Sequence, residues 1–379
     1  MPKPLCIGMI AGEPSGDFLG AGLIEKIKEM HPCVEFVGIG GPLMREKGLR
    51  AIYPMEKIAV MGFTDVLKCY PRLRWIHYQI SRYFLRKKPD IFVGIDAPDF
   101  NLPIELHLKN IGIKTVHYVS PKVWAWRKER VYKIKAAVDL LLSVFPFEEA
   151  FYEPYDVPIQ YVGHPLADVI DFIPDTQKYR GLWNINPWQE VIAVLPGSRL
   201  AEMKHMGPLF LDVMHLIQQQ RPQVLFILPF ANRELRGLFE KQMQRKDYHL
   251  NIRLVDNHSR EAMGAANCVI TKAGTSTLEA ALLKKPMVVA FKMNQLTYKL
   301  VSRRVQVQYC ALPNLLLDQP LVPELVQKNA QASQIAELVF DLLDDRVKQE
   351  CMKTEFTKLH QVLSCQASSG AASALLKLI

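Results

Sequence analysis

Leu5-Cys6-Ile7-Gly8-Met9-Ile10-Ala11-Gly12-Glu13-Pro14-Ser15-Gly16-Asp17 is a short apolar run that passes straight into a Gly-containing turn, with helix-forming sequence at 18–30 behind it. An uninterrupted apolar run closed by a turn reads as a strand of a parallel sheet, covered on both faces, and the helical stretch as its crossover. The pattern recurs. Strands are expected at 5–10, 34–38, 90–95, 114–119, 140–145 and 160–162, with helices at 18–30, 72–86, 103–110 and 128–137. Alternation of this kind specifies an open, doubly wound α/β sheet. After Gly163-His164-Pro165, polar and Pro-containing sequence at 168–189 reads as a hinge, and the pattern then restarts. Strands are expected at 191–195, 224–228, 252–255, 268–270 and 287–291, and Leu209, Val213, Leu216 and Ile217 share one helical face. Helices at 333–343 and 346–363 and a small-residue tail at 367–374 complete the chain. The expected architecture is two Rossmann-like domains, 1–167 and 168–345, with 346–379 packing back on the first.

Length agrees with that division, because 379 residues exceed what one hydrophobic core usually organises. At 49% hydrophobic and 22% charged, the composition is that of a folded globular chain and excludes a disordered one. The N-terminal run lacks the basic lead and long apolar stretch of a secretion signal. Spanning a bilayer takes about 20 apolar residues; the best stretch, 136–147, is interrupted by Asp139 and Pro146, so no crossing is expected. Seven cysteines without a Cys-x-x-Cys pair read as reduced thiols in a cytoplasmic protein. The net charge of +9 calls for an anionic partner. Between Lys68 and Lys88 seven basic residues and no acidic one alternate with Tyr70, Leu73, Trp75, Ile76, Tyr78, Tyr83 and Phe84, a basic, aromatic, amphipathic segment.

Four turns carry candidate chemistry. In the first, the spacing around Gly12 and Gly16 is not that of a nicotinamide fingerprint. Glu13 would repel a phosphate there and is suited to hydrogen-bonding a sugar or orienting a base; capping of the helix by Ser15 or Asp17 is compatible with this. In Val93-Gly94-Ile95-Asp96-Ala97-Pro98-Asp99-Phe100, Asp96 stands at the C-terminal end of a central strand, where open α/β sheets place ligands, and suits a general base; helix capping is the competing reading, stronger for Asp99. In Leu195-Pro196-Gly197-Ser198-Arg199, the amides of Gly197 and Ser198 and the Arg199 guanidinium form a diphosphate cradle able to stabilise a leaving group without a metal. In Lys272-Ala273-Gly274-Thr275-Ser276-Thr277-Leu278-Glu279, Gly274, Thr275 and Ser276 offer further phosphate contacts. Glu279 either accepts from ribose hydroxyls or reaches back in a capping box; both readings stand. The scattered histidines, His117 and His164 among them, read as hydrogen-bonded structural groups, and neither a metal nor a cofactor is expected.

Taken together the motifs resemble the lipid-A-disaccharide synthase family. The resemblance is carried by Ala-Gly-Glu-Pro-Ser-Gly-Asp (11–17), Ala-Val-Met-Gly-Phe (59–63), Gly-Ile-Asp-Ala-Pro-Asp-Phe-Asn (94–101), His-Tyr-Val-Ser-Pro-Lys-Val-Trp-Ala-Trp-Arg (117–127), Leu-Pro-Gly-Ser-Arg (195–199) and Leu-Pro-Asn-Leu-Leu (312–316). It implies a GT-B fold, two parallel sheets facing a central cleft. It also implies an inverting, metal-independent hexosyltransferase that joins UDP-2,3-diacylglucosamine to 2,3-diacylglucosamine 1-phosphate (lipid X) through a β(1→6) bond, releasing UDP. The family's essential aspartate matches Asp96, its glutamate Glu13, its UDP-contacting arginine Arg199 and its functional asparagine Asn314. The resemblance further implies a protein peripheral on the inner face of the inner membrane, with Phe63, Val66, Leu67, Tyr70, Leu73, Trp75 and Ile76 facing the lipid, and a homodimer as a further partner. This chain departs from the family at Pro14, where Thr is usual, and at Lys272, within Thr271–Ser276, where the family often has Ala-Ser-Gly-Thr-Ala.

Two other readings compete. A UDP-N-acetylglucosamine 2-epimerase would share the two-domain plan but has no use for the basic, aromatic 68–88 surface. A non-enzymatic module binding nucleic acid or acidic lipid would account for the charge and leave Asp96 and both phosphate-type turns without purpose; nucleic acid is therefore not expected as a partner.

Overall fold

The computed structural model describes residues 4–58, 63–302 and 305–379, and the side chains of these except at 56, 63–73, 296, 300 and 301. Contacts divide the chain into two compact units, Met1–Asp168 with Val362–Ile379, and Val169–Gln361.

The first unit is built on β1 (Leu5–Ala11), β2 (Val34–Ile39), β3 (Leu49–Ala51), β4 (Ile91–Ile95), β5 (Lys114–Tyr118), β6 (Leu140–Ser143) and β7 (Ile159–Tyr161). They form one parallel sheet in the order β3-β2-β1-β4-β5-β6-β7. The chain begins in the middle of the sheet, fills one side, then crosses back, so the order reverses between β1 and β4. Burial on both faces explains why β1 and β4 are continuous apolar runs. The Phe63–Lys87 helix starts earlier than the expected 72–86. Ile76, Ile80 and Phe84, spaced four apart, lie in a core cluster with Ile10, Phe92 and Ile104. Ile76 is 0% exposed, which corrects its expected place on a membrane surface: its position in the repeat sends it inward. Trp75, one residue earlier, is 56% exposed. The other expected lipid-facing side chains, Phe63, Val66, Leu67, Tyr70 and Leu73, lie outside the described residues.

The second unit repeats the plan with β8 (Val191–Leu195), β9 (Leu225–Phe230), β10 (Ile252–Asp256), β11 (Cys268–Lys272), β12 (Met287–Phe291) and β13 (Glu324–Val326), all parallel, in the order β10-β9-β8-β11-β12-β13. Its reversal falls between β8 and β11. The structure therefore contains two Rossmann-like α/β units of the GT-B kind.

The end of the chain divides differently from the expectation for 346–379. The Arg346–Leu363 helix belongs to the second unit up to Gln361, and only Val362–Ile379 joins the first. The small-residue tail is helical: Ala367–Leu376 packs on the Pro14–Met30 helix, with Ser368 against Gly22. Asp168 fastens it, its carboxylate accepting from the amides of Gln366 (3.0 Å) and Ala367 (2.6 Å) and from Ser364 Oγ (3.1 Å). These bonds satisfy donors that a helix start leaves open. Among the described residues the cysteines are free and no helix is long and apolar enough to cross a membrane.

Candidate active site

Both order reversals carry the residues singled out in the sequence. In an open α/β sheet the loops leaving neighbouring strands at a reversal diverge to opposite faces and open a crevice at the strand ends. In the first unit Ala11 of β1 pairs in register with Ile95 of β4, so Gly12-Glu13 and Asp96-Ala97 leave the sheet side by side. A Cβ placed on Gly12 would lie 2.9 Å from that of Ala97, so only glycine allows the two loops this approach.

Asp96 and Ala97 both adopt left-handed backbone, with φ of 51° and 43°. Consecutive non-glycine residues there cost energy that surrounding contacts must offset. The offset is visible. Asp96 N donates to Tyr118 O at 2.9 Å, and the buried Asn101 amide donates to Asp96 O at 2.8 Å, reaching also toward Ile10 O at 3.3 Å and Ile95 O at 3.4 Å. One side chain thus joins the ends of β1 and β4 to the Asp96 turn. Neither aspartate of this stretch caps the following helix: Ala97 holds the cap position, and Asp99 pairs with Arg130. Glu13 occupies the cap position of the Pro14–Met30 helix without a side-chain cap bond. Asp17 turns away from its own helix and accepts from Leu43 N and Met44 N, both at 3.0 Å, capping the Pro42–Glu46 helix instead.

Beneath the turn, His117 Nδ1 lies 2.7 Å from Glu105 Oε1, both side chains fully buried. Burial pushes the Glu105 carboxyl up, opposed by the neighbouring His117. The next loop, 119–127, opens on Val119 at φ 80°. It is held by Glu148, which accepts from Trp124 Nε1 at 3.0 Å and Phe145 N at 3.3 Å. His164 Nδ1 accepts from Leu166 N at 3.2 Å, so both histidines are hydrogen-bonded groups of the scaffold, as expected.

In the second unit the turn after β8 places Gly197 at φ 126°, a conformation that disfavours any side chain. Arg199 is exposed and takes the cap position of the Leu200–Gln220 helix. Glu202, unrecognised in the sequence, accepts from Ser198 N (3.1 Å) through Oε2 and from Lys272 Nζ (2.8 Å) through Oε1. It joins the turn after β8 to the turn after β11. There Gly274 caps the Thr275–Leu282 helix, Thr275 is exposed, and Ser276 Oγ bonds Thr271 Oγ1 at 2.8 Å. A capping box does not form: Glu279 Oε1 accepts from Arg260 Nε at 3.2 Å instead. Burial pushes the Glu279 carboxyl up, opposed by Arg260. Asn314 is 1% exposed and bonded to Val322 and Glu324.

A family model described as lipid-A-disaccharide synthetase matches residues 7–375. The chain belongs to the lipid-A-disaccharide synthase family. The lipid-A-disaccharide synthase 2 of Legionella pneumophila (strain Lens) is 49% identical over 373 residues, covering 98% of this chain and 97% of that one. The lipid-A-disaccharide synthase of Hahella chejuensis (strain KCTC 2396) is 44% identical over 377 residues, covering 100% and 95%. Like other lipid-A-disaccharide synthases, the chain is a glycosyltransferase that joins lipid A precursors. Among solved structures, the UDP-GlcNAc 2-epimerase of Neisseria meningitidis bound to UDP-GlcNAc superposes with a TM-score of 0.65 at 13% identity, covering 98% of this chain and 99% of that one. WaaG, a glycosyltransferase involved in lipopolysaccharide biosynthesis, gives 0.57 at 13%, covering 98% and 99%. Both likenesses are of fold alone, so the epimerase reading shares the architecture while sequence membership lies with the lipid-A-disaccharide synthases.

Glu202, Asn101 and Glu324 escaped sequence reasoning. The first two lie inside or beside recognised motifs. Glu324 lies in a three-residue strand without a motif signal, and only its position against Asn314 marks it.

Proposed function

We propose that this lipid-A-disaccharide synthase transfers the diacylglucosamine of UDP-2,3-diacylglucosamine to the 6-hydroxyl of lipid X, with inversion and without a metal ion. The acceptor hydroxyl attacks C1, the C1–O bond to the β-phosphate breaks, UDP leaves, and the α-linked donor becomes a β(1→6) disaccharide 1-phosphate. Asp96 takes the hydroxyl proton, Glu13 orients the acceptor or the base, and Arg199 meets the charge developing on the leaving diphosphate. Gly197, Ser198, Gly274, Thr275 and Ser276 line the diphosphate, and Glu279 offers an acceptor oxygen to the ribose. On this reading the first unit takes the acceptor and the second the nucleotide. The basic, aromatic 68–88 segment holds the enzyme at the inner face of the inner membrane, with Trp75 in contact, and the enzyme acts as a monomer or a homodimer.

The observation that carries this reading is the left-handed Asp96 turn at the reversal between β1 and β4, held in that conformation by Asn101 and placed beside the Glu13 loop. A carboxylate kept in a costly backbone conformation at a ligand-binding position is what a fixed general base requires. The test is UDP release in detergent with both lipid substrates and excess EDTA. Chelator-resistant turnover that falls about 10²- to 10⁴-fold in Asp96→Asn supports the base and the metal-free course. Full activity in the variant, or loss of wild-type activity with EDTA, refutes the corresponding part.

A further inference from the structure

Asn314, which the family resemblance marks as functional and as a substrate-binding residue, has a side chain that is closed off. One amide hydrogen goes to Val322 O and the other to Glu324 Oε1, both at 2.8 Å, while Oδ1 accepts from Val322 N at 2.8 Å. Both amide hydrogens are used, the side chain is 1% exposed, and the pairing with a backbone N–H and C=O fixes which way the amide faces. A substrate could reach it only by breaking buried bonds.

The partner is more informative. Glu324 accepts four donors: Cys310 N at 2.8 Å and Cys310 Sγ at 2.9 Å through Oε2, and Ala311 N at 3.0 Å and Asn314 Nδ2 at 2.8 Å through Oε1. This carboxylate gathers the chain entering the Leu312–Leu317 helix onto the edge strand β13. The amide immediately after it, Leu312 N, donates to Thr277 Oγ1 at 3.1 Å, and Thr277 Oγ1 donates to Gly274 O at 2.8 Å. Glu324 therefore holds the Ala311 amide, the next amide along the backbone, Leu312, holds Thr277, and Thr277 holds the Gly274 turn after β11, so two sets of hydrogen bonds are joined through the Ala311–Leu312 peptide. Thr277 is fully buried, so no water substitutes for its hydroxyl.

We propose that Asn314 and Glu324 are positioning residues for the nucleotide: they set the Leu312 amide against Thr277 and through it hold the Gly274 turn in the shape that receives the diphosphate. This rests on the reading of that turn as a nucleotide contact. On this proposal Glu324 acts through the Ala311 amide and Asn314 rather than on the substrate. Burial of the Asn314 amide is the signature of a group that acts through its neighbours. The titratable groups around the carboxylate are the Cys310 thiol, which burial and Glu324 push up and keep protonated, and Lys272, whose charge acts on the same thiol.

The test is calorimetric titration of UDP into the full-length protein, with KM for donor and acceptor measured alongside. In Glu324→Gln, which retains shape but turns one acceptor into a donor, and in Thr277→Val, which keeps volume but removes the hydroxyl, the UDP Kd rises about tenfold, the scale of one lost buried hydrogen bond. Donor KM follows and acceptor KM does not. Thr277→Ser restores the hydroxyl and returns the Kd to within about threefold of wild type. If Glu324→Gln fails to fold, the Thr277→Val and Thr277→Ser pair decides. Unchanged UDP affinity in Thr277→Val overturns the proposal, as does equal loss in Thr277→Ser. Absence of UDP binding by the unmodified protein overturns it together with the nucleotide reading, whereas wild-type binding with insensitive variants overturns it alone.

Discussion

Lys272 Nζ lies 2.8 Å from Glu202 Oε1, and the other oxygen of the same carboxylate accepts from Ser198 N at 3.1 Å. One side chain from the helix after β8 thereby ties together the two turns that flank the reversal in the second unit. Both partners are less than one-fifth exposed, so the pair is screened less than a surface salt bridge. The ion pair gives Lys272 a structural role in holding these two turns together.

Removal of Lys272 leaves Glu202 as an unmatched anion beside the proposed diphosphate contacts. Lys272→Ala is expected to weaken UDP binding roughly tenfold, between the cost of losing an exposed pair and that of breaking a fully buried one. The Lys272→Ala, Glu202→Gln double variant should recover part of that loss. Calorimetry on the four proteins of this cycle isolates the coupling, and strictly additive effects would refute it.

Asn101 joins three carbonyls around the Asp96 turn from a fully buried position. Asn101→Ala removes the donor and leaves the strained backbone without its tie. Stability should fall by about 1–3 kcal/mol, and kcat should drop by more than KM changes, because the base loses its orientation while the substrate contacts remain. A variant with lower stability but wild-type kcat would show that the turn holds its shape unaided.

Glu148 provides a pH signature. Burial pushes its carboxyl from an ordinary value of 4.5 up to about 7, with Trp124, Ser120 and the Phe145 amide opposing. The folded protein therefore keeps a proton that the unfolded chain releases between these values. Its contribution to stability is present below pH 4.5, declines as pH rises to about 7 and is level above it. The change across the window is on the order of 3 kcal/mol. Denaturant midpoints at several pH values should show this decline in wild type, and Glu148→Gln should flatten it. Parallel profiles would refute the assignment.

Trp75 and Ile76 are adjacent in sequence and opposite in fate. Ile76→Ala should cost about 2–5 kcal/mol through a cavity beside Phe84 and Phe92. Trp75→Ala should leave the melting temperature nearly unchanged and weaken sedimentation with anionic vesicles, since it removes an exposed aromatic from the basic segment. Equal vesicle binding by wild type and Trp75→Ala would remove Trp75 from the proposed membrane contact.

The amino-acid sequence alone determined the central strands. β1, β4, β8 and β11 are buried on both faces, and that demand leaves an apolar run that can be read without knowing the neighbours. The turns behind them were legible for the same reason, because a parallel sheet delivers its loops to the strand ends. β3 and β13 escaped, since a three-residue edge strand only partly buried leaves little pattern to read, although β7, equally short and at the other edge of the first sheet, was expected at 160–162. Ile76 and Trp75 looked alike because hydrophobicity and helical spacing give a face but not the direction it points; Phe84 and Phe92 decided that. The tie from Asn314 through Glu324 and Thr277 to Gly274, and from Ser198 through Glu202 to Lys272, joins residues tens of positions apart. Such bonds depend on strand order and on the angle at which each helix leaves its turn, and these exist only once the sheet of the second unit has assembled.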